Sequence, residues 1–217
     1  MQSIRQEGNY SFLFSRYAPV VATVEPGEIF EMYTEDAYCG LIREETDSPS
    51  SVERPGPNPQ TGPVYVNGAR PGDAIAVHIH SIDVTRDFGI SQIAPAFGGL
   101  QATYFTAMLN QPLDEQVFKY VIDGNRAYHP RFPYLAFEIE PFMGTIATAP
   151  KRESLTTMLP FDQGGNMDVP DVKAGNTVYL PVAVDGALFH GRLPREAGGR
   201  RALRHCGRGD GKNYAFD

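Results

Sequence analysis

The residues best suited to chemistry lie in one short stretch, residues 160–168, with the sequence PFDQGGNMD. Its adjacent glycines, Gly164 and Gly165, permit backbone conformations in which a Cβ would clash, and they let a ligand approach main-chain N–H groups closely. The Asn166 amide can donate and accept hydrogen bonds, while the Asp168 carboxyl group can accept them or hold a proton. The stretch could therefore bind a small polar molecule such as an amide. The structural alternative is a Gly-Gly-Asn turn between two strands.

Two further carboxylates, Glu35 and Asp36, directly follow a strand that we predict over residues 28–34. Strand ends support side chains on a rigid base, which suits functional groups, although both side chains could equally end a strand in solvent. Cys39 lies close behind them and could act as a nucleophile with Glu35 nearby. Because no lysine precedes Lys119 to complete a cysteine–glutamate–lysine set, we expect a small buried thiol instead.

Two histidines, His78 and His80, share one face of the clearest predicted strand, residues 74–84, whose other face is apolar. Along an extended chain they lie about 7 Å apart. That spacing can chelate one metal ion or leave one histidine as a base. The alternative is a pair of partly exposed histidines with no ligand role.

The elements that must position these residues are short strands joined by turns. The chain has 217 residues, of which 22 are glycine and 18 are proline, a mixture that favours an all-β protein. A long loop is predicted over residues 44–60, and residues 88–109 are ambiguous, with a short helix possible through 103–108. We predict strands over residues 11–15, 20–24, 28–34, 64–66, 74–84, 117–123, 135–139 and 178–184. The predicted fold class is mainly β, sandwich-like or barrel-like, with long loops and few short helices.

Charge and composition restrict the possible partners. The formal net charge of −7 favours solubility and argues against binding to a nucleic-acid backbone. No apolar run approaches the roughly 18 residues that span a bilayer, and residues 1–10 lack an apolar signal segment. The two cysteines, Cys39 and Cys206, form neither a disulfide framework nor a zinc-site pattern, so we predict a cytoplasmic protein without membrane or nucleic-acid partners.

The composition changes abruptly after His190, so we predict two regions, a β domain over 1–190 that is incomplete at its C-terminal end and an aberrant tail over 191–217. The tail has little apolar material and no periodicity, which predicts disorder or non-native structure, and a basic arm for nucleic acid is the alternative. With permissible codons, a second reading frame from Gly191 spells GDCHAKQGDGELCGTAVEVTAKTTRS, which is patterned like globular sequence. We therefore predict a frameshift after His190. The arginines of the tail are Arg192, Arg195, Arg200, Arg201, Arg204 and Arg208.

Six segments of the chain form a recognisable series of motifs. They are residues 58–66 (NPQTGPVYV), 68–73 (GARPGD), 141–146 (PFMGTI), 164–168 (GGNMD), 180–182 (LPV) and 186–189 (GALF). In this order they resemble the acetamidase/formamidase family of small-amide hydrolases. The family continues with Gly-Asp-x-His and Gln-Gly-Asp-Gly-Glu motifs, which occur in the second frame but not in this chain. A further departure is His78-Ile79-His80-Ser81, where relatives usually carry acidic or aliphatic residues. The resemblance implies a β-sandwich-like fold, hydrolysis of formamide or acetamide to acid and ammonia, a cytoplasmic location and a homodimer or higher homo-oligomer.

Amide hydrolysis needs an activated water or nucleophile, donors for the tetrahedral oxyanion, and an acid for the departing nitrogen. We expect Glu35, Asp36 and Asp168 to serve as base, acid or metal ligand. The expected substrate contacts are the N–H groups of Gly164 and Gly165, the Asn166 amide, and Met143 in the PFMGTI segment. A divalent ion, zinc or calcium, could be bound by His78 and His80, or by Asp36 with the carboxylate and histidine of the missing motif, and would activate the water.

Two other functions remain open at this point. One is a non-catalytic β-sandwich binding module, for example for carbohydrate. The other is an inactive fragment of the enzyme, folded but lacking its last strands. Release of ammonia from formamide or acetamide separates the enzyme from the module, and the same assay on a frame-restored protein separates the enzyme from the fragment.

Overall fold

A computed structural model of the chain describes residues 1–6, 8–95, 102, 107, 108, 110–192, 195–198, 201–204 and 209–216, the last three ranges by their backbone. The described residues form twenty-one strands and one short 3-10 helix. The strands are β1 (Gln2–Ile4), β2 (Leu13–Phe14), β3 (Ala22–Val24), β4 (Phe30–Thr34), β5 (Thr61–Val66), β6 (Ala74–Ile79), β7 (Asp83–Val84), β8 (Phe88–Ile93), β9 (Gln116–Asp123), β10 (Arg126–His129), β11 (Phe132–Glu138), β12 (Pro141–Phe142), β13 (Thr145–Ala147), β14 (Leu155–Thr156), β15 (Pro160–Phe161), β16 (Gly164–Gly165), β17 (Thr177–Pro181), β18 (Phe189–Arg192), β19 (Arg195–Gly198), β20 (Arg201–Arg204) and β21 (Gly209–Phe216); the 3-10 helix is Pro49–Ser51.

Two six-stranded sheets form the body of the protein. The first has the order β1-β4-β21-β6-β17, with β7 also pairing with β21, and the second has the order β15-β16-β13-β18-β5-β3. A four-stranded sheet (β11-β10-β9-β8), a three-stranded sheet (β12-β19-β20) and a two-stranded sheet (β14-β2) lie outside them. None of the described sheets closes on itself, so they correspond to the predicted sandwich rather than to a closed barrel.

The main hydrophobic core joins the two large sheets. Strands β4 and β6 contribute Met32 and Val77, and strands β5 and β18 contribute Val64 and Phe189, all completely buried. The alternation in β6 explains this arrangement, because every second residue of a strand points to the same face. Burial of these apolar side chains is the main source of stability for the sandwich.

A smaller core fixes the segment that follows β4. Ala37, Tyr38 and Ile42 pack against Ile90 and Val117 of the four-stranded sheet. The end of β4 is thereby fixed between the sandwich and this sheet. The functional residues that follow β4 therefore stand on a packed support rather than on a free loop.

The prediction of a mainly β fold is confirmed. The hairpin predicted at residues 123–126 is present, with Arg126 paired to Asp123. The strand predicted over 74–84 is divided into β6 and β7, and the predicted loop over 44–60 contains the 3-10 helix Pro49–Ser51. The short helix suggested at 103–108 falls largely on residues that the structure does not describe. The part of the chain that is described contains no helix long and apolar enough to cross a membrane.

The segment after His190 contains extended backbone. Strand β18 continues to Arg192, β19 and β20 pair with each other, and β21 pairs with β4 and β6 of the first large sheet. The composition of residues 191–217 predicts disorder or non-native structure there. The division of the chain at His190 stays a prediction.

Candidate functional site

The strongest polar cluster lies where β4 ends. Glu35 and Asp36 are 6% and 0% exposed, so they do not simply end a strand in solvent. The Asp36 carboxylate accepts the N–H groups of Tyr38 at 2.6 Å and Gly40 at 2.8 Å. The Arg86 guanidinium group donates to Asp36 Oδ2 and to Glu35 Oε1, both at 3.1 Å. This cluster combines two buried carboxylates with a guanidinium group that bridges them.

The two carboxylates have different environments. Both Asp36 oxygens accept hydrogen bonds that organise the turn over residues 36–40, which suits a positioning residue. Glu35 accepts the Asp36 N–H group at 2.9 Å and lines a cavity. Burial raises the pKa of Glu35, and the nearby negative charge of Asp36 raises this pKa as well. A carboxylate with a raised pKa is a stronger proton acceptor than an ordinary glutamate, which suits a general base.

Cys39 lies beside the same cavity in a left-handed backbone conformation, with φ of 56°. Burial raises the pKa of its thiol, and the charges of Asp36 and Glu35 raise this pKa in addition. A raised pKa disfavours the thiolate, which is the nucleophilic form of cysteine. The environment therefore supports the interpretation of Cys39 as a small thiol rather than as a nucleophile.

The cavity beside Glu35 has a volume of about 440 Å³. Its described lining includes a carboxylate, a thiol, an aromatic ring and three guanidinium groups, from Glu35, Cys39, Phe88, Arg5, Arg43 and Arg86. None of the described lining residues comes from the 164–168 loop. The predicted carboxylate pair and the predicted glycine-rich loop thus do not share this cavity.

The glycine-rich loop is buried in the second large sheet. Gly164 and Gly165 form β16, which pairs with β13 on one side and β15 on the other. Their φ values are 95° and 131°, and a Cβ at either position would clash with a neighbouring carbonyl oxygen. Close backbone packing therefore explains both glycines. Their expected role as oxyanion donors stays a prediction.

Asn166 connects this loop to its neighbours. Its amide oxygen accepts the Thr145 hydroxyl group at 2.8 Å, and its amide nitrogen donates to the Met158 carbonyl at 3.1 Å. Asp168 is half-buried, and its N–H group donates to the Gly144 carbonyl at 3.0 Å. Met143 is 1% exposed and belongs to the hydrophobic core. These contacts give the loop a structural role, and the substrate roles expected for Asn166, Asp168 and Met143 stay predictions.

A buried arginine links the loop to the carboxylate pair. Arg192 is the β18 partner of Thr145, the residue that binds Asn166. Its Nε donates to the Glu35 carbonyl at 3.3 Å, and its Nη1 donates to Asn58 Oδ1 at 3.1 Å. The end of β4 at Glu35 and the 164–168 loop therefore lie on the same side of the second large sheet, and neither points into bulk water.

His78 lies in β6 and His80 directly follows the end of this strand, with ring centroids 4.7 Å apart. His78 Nδ1 is 2.9 Å from the Thr177 hydroxyl oxygen, and His80 is exposed. Within the described residues, no three or more His, Cys, Asp or Glu side chains are grouped closely enough to bind a metal ion. These residues alone do not form the ligand set that zinc prefers, so we derive no catalytic step from a metal. A metal-binding role for the two histidines stays a prediction.

Sequence reasoning missed four residues near these features. Arg5, Arg43 and Arg86 are far apart in the sequence and meet only at the cavity, so no local pattern indicates them. His190 is completely buried, and within the described residues neither of its ring nitrogens has a hydrogen-bond partner. Burial lowers its pKa to about 3. The only sequence signal for His190 is a histidine inside an apolar strand.

Comparisons with known proteins identify the family. A model of the acetamidase/formamidase family matches residues 5–159. The chain is similar in structure to an acetamidase from Yersinia enterocolitica, with 33% identity and a TM-score of 0.82 over 97% of this chain and 63% of that one. An acetamidase from Bacillus halodurans has 31% identity and a TM-score of 0.82 over 99% of this chain and 68% of that one. A predicted acetamidase/formamidase from Thermoanaerobacter tengcongensis has 27% identity and a TM-score of 0.78 over 99% of this chain and 67% of that one.

The chain thus spans 63% of the length of the Yersinia structure. A comparison with curated proteins gave no match. The family model covers most of the chain, and the structural similarity extends over almost all of it. The chain belongs to the acetamidase/formamidase family.

Proposed function

We propose that the protein hydrolyses a short aliphatic amide, such as formamide or acetamide, to a carboxylate and ammonia, with Glu35 as the group that activates water. The observation that carries this proposal is the position of Glu35, a buried carboxylate with a raised pKa that lines a cavity of about 440 Å³. Cavities of this size are typical of small-molecule sites. The membership of the chain in the family supports the choice of reaction.

The proposed reaction begins with Glu35 in its ionised form. Its carboxylate takes a proton from a water molecule, and the water oxygen attacks the amide carbonyl carbon. The tetrahedral oxyanion that forms needs positive donors, and the Arg86 guanidinium group in the same cavity wall is suited to this. The C–N bond then breaks, the proton on Glu35 passes to the departing nitrogen, and ammonia and the acid are released.

The other predicted residues have supporting roles in this proposal. Asp36 fixes the turn over residues 36–40 and binds Arg86, so it orients the Arg86 guanidinium group in the cavity beside Glu35. Asn166 and Asp168 fix the neighbouring loop. A divalent ion, zinc or calcium, stays a second proposal, with ligands either from His78 and His80 or from Asp36 and the carboxylate and histidine of the missing motif.

We also propose that the protein is a homo-oligomer in the cytoplasm, and that the tail over 191–217 results from a frameshift. The free thiol of Cys39 is consistent with a reducing compartment, and the composition of the tail supports the frameshift. Codons around His190 that are incompatible with the second frame would contradict the frameshift. Light scattering that gives a monomer mass would contradict the oligomer.

Ammonia release from formamide and acetamide tests the proposed reaction. We expect Glu35→Gln to lower kcat/KM at least about 100-fold, because the amide cannot take a proton from water. The matched control is Arg152→Gln, at an exposed residue outside the cavity, which we expect to retain full activity. The assay is run on this chain and on the frame-restored protein, because an inactive fragment predicts activity in the second alone. No ammonia release from either protein contradicts the proposed function.

A further inference from the structure

The cavity beside Glu35 has an unusual charge for this protein. Three guanidinium groups and one carboxylate are found among its described lining residues. The Asp36 carboxylate lies behind this wall and is bound by Arg86 at 3.1 Å. Among these described residues, positive charges outnumber negative ones, although the whole chain has a formal net charge of −7. A cleft lined by charges of one sign concentrates small ions of the opposite sign.

Two of the guanidinium groups converge on one point above Gly40. Arg43 Nε donates to the Gly40 carbonyl at 2.8 Å, and Arg86 is fixed by its bonds to Glu35 and Asp36. A Cβ at Gly40 would lie 3.1 Å from Arg86 Nη2, 3.6 Å from Glu35 Oε2 and 3.8 Å from Arg43 Nη2. Because glycine has no side chain, Arg86, Glu35 and Arg43 can approach one another closely at this position.

The third guanidinium group, that of Arg5, stacks on an aromatic ring. Its Cζ lies 3.3 Å from the centre of the Tyr33 ring. Stacking fixes the plane of the guanidinium group, and a fixed planar fork of donors matches the geometry of a carboxylate. Arg5 and Arg43 are both exposed at the rim, so a solute can reach them.

The volume of the cavity, about 440 Å³, is much larger than formamide or acetamide requires. We propose that the cavity binds a carboxylate group, and that the preferred substrates are short aliphatic amides with a carboxylate at the far end, such as the monoamide of a short dicarboxylic acid. This inference rests on the proposed function, because the amide end of the substrate must reach Glu35. Arg5 and Arg43 would bind the carboxylate, while Arg86 faces the reacting amide.

Calorimetric titration of the 217-residue chain with succinate tests the carboxylate site without requiring catalysis. We expect succinate to bind, and we expect 1,4-butanediol, a neutral molecule with the same number of carbons and no amide to hydrolyse, to give no signal. Raising the ionic strength from about 0.01 M to about 1 M should weaken succinate binding, because the Debye length falls from about 30 Å to about 3 Å. Absence of succinate binding, or equal binding of 1,4-butanediol, overturns the proposal.

Substitution of one rim arginine locates the site. Arg43→Gln should weaken succinate binding about fivefold, because it removes one charged contact at a partly solvated position. The matched control, Arg152→Gln, removes the same charge elsewhere on the surface and should leave the affinity unchanged. Equal affinity of the two variants overturns the proposal. Both residues are exposed, so neither substitution should affect folding.

Two further experiments show whether the bound carboxylate belongs to the substrate or to the product. Acetate that binds as tightly as succinate would indicate a site for the product and overturn the substrate assignment. In the activity assay, kcat/KM for succinamate should exceed that for acetamide about tenfold, and Arg43→Gln should remove this advantage. A chain that binds succinate but releases no ammonia contradicts the proposed function alone. A chain that hydrolyses acetamide without binding succinate contradicts the carboxylate site alone.

Discussion

Replacement of Arg86 by glutamine should destabilise the fold by about 3 kcal/mol, because removing one partner leaves buried charges uncompensated. The Arg86 side chain is 13% exposed, and the side chains of its partners, Glu35 and Asp36, are 8% and 0% exposed. Without the guanidinium group, two adjacent carboxylates must share a site that water hardly reaches. This cost is much larger than that of a surface ion pair.

The destabilisation should depend on pH. Burial and the charge of Asp36 raise the pKa of Glu35 above its ordinary value of 4.5, and Arg86 opposes this effect. Arg86→Gln therefore raises the pKa of Glu35 further. A carboxyl group whose pKa is higher in the folded state stabilises the fold when protonated, and this contribution is lost as the pH rises through the folded-state pKa. The decrease in the free energy of unfolding caused by Arg86→Gln should thus be larger at about pH 7 than at about pH 5.

Urea and thermal unfolding at several pH values measure this loss. For a chain of this size, about 3 kcal/mol corresponds to a decrease in Tm of about 6–12 °C. The control is Arg131→Gln, which removes an ion pair with Glu45 at 2.9 Å from a side chain that is 60% exposed. That variant should lose less than about 1 kcal/mol. Equal losses in the two variants, or a loss in Arg86→Gln that does not change with pH, would refute the reasoning.

Three further predictions concern the rest of the site. Gly165→Ala should lower the free energy of unfolding by about 3 kcal/mol, because the new Cβ meets the Leu159 carbonyl at a φ of 131°; a loss below about 1 kcal/mol in urea unfolding contradicts this. His190→Leu should leave stability unchanged at neutral pH, and it should remove the part of the acid destabilisation that arises because the pKa of His190 falls from 6.5 to about 3 on folding. Unfolding curves for His190→Leu that match the native chain from about pH 6 to about pH 4 would contradict that prediction. Zinc titration should detect weak binding by the His78–His80 pair, lowered about tenfold in His80→Ala, and unchanged affinity in this variant would contradict it.

Much of the fold follows from local patterns. The alternation in β6 predicts which side chains enter the core, since Val77 and Ile79 are fully buried while His78 is not. The Asp-Gly turn at 123–124 predicts the β9–β10 hairpin. These features depend only on neighbours in the chain. The pairing of β3 with β5, or of β13 with β18, depends on distant residues, and no local pattern indicates it.

The candidate site was only partly predictable for the same reason. Glu35 and Asp36 are indicated by their position after a strand. Their different environments arise from Arg86, which no spacing connects to them. The Gly164-Gly165-Asn166 run suggests a ligand loop, yet its glycines fit close backbone packing and the Asn166 amide bonds to Thr145 and Met158. A glycine that permits close approach serves a backbone as well as a ligand, and sequence alone does not distinguish the two.

The most direct test of the central claim, that Glu35 transfers the proton in amide hydrolysis, is the pH dependence of kcat/KM for acetamide in the native chain and in Arg86→Gln. The acidic limb of this profile reports the pKa of the catalytic base in the free enzyme. The midpoint of this limb should lie above 4.5, the ordinary pKa of a glutamate, and it should move to higher pH in Arg86→Gln. A midpoint at or below 4.5 that is the same in both proteins would contradict the assignment of Glu35.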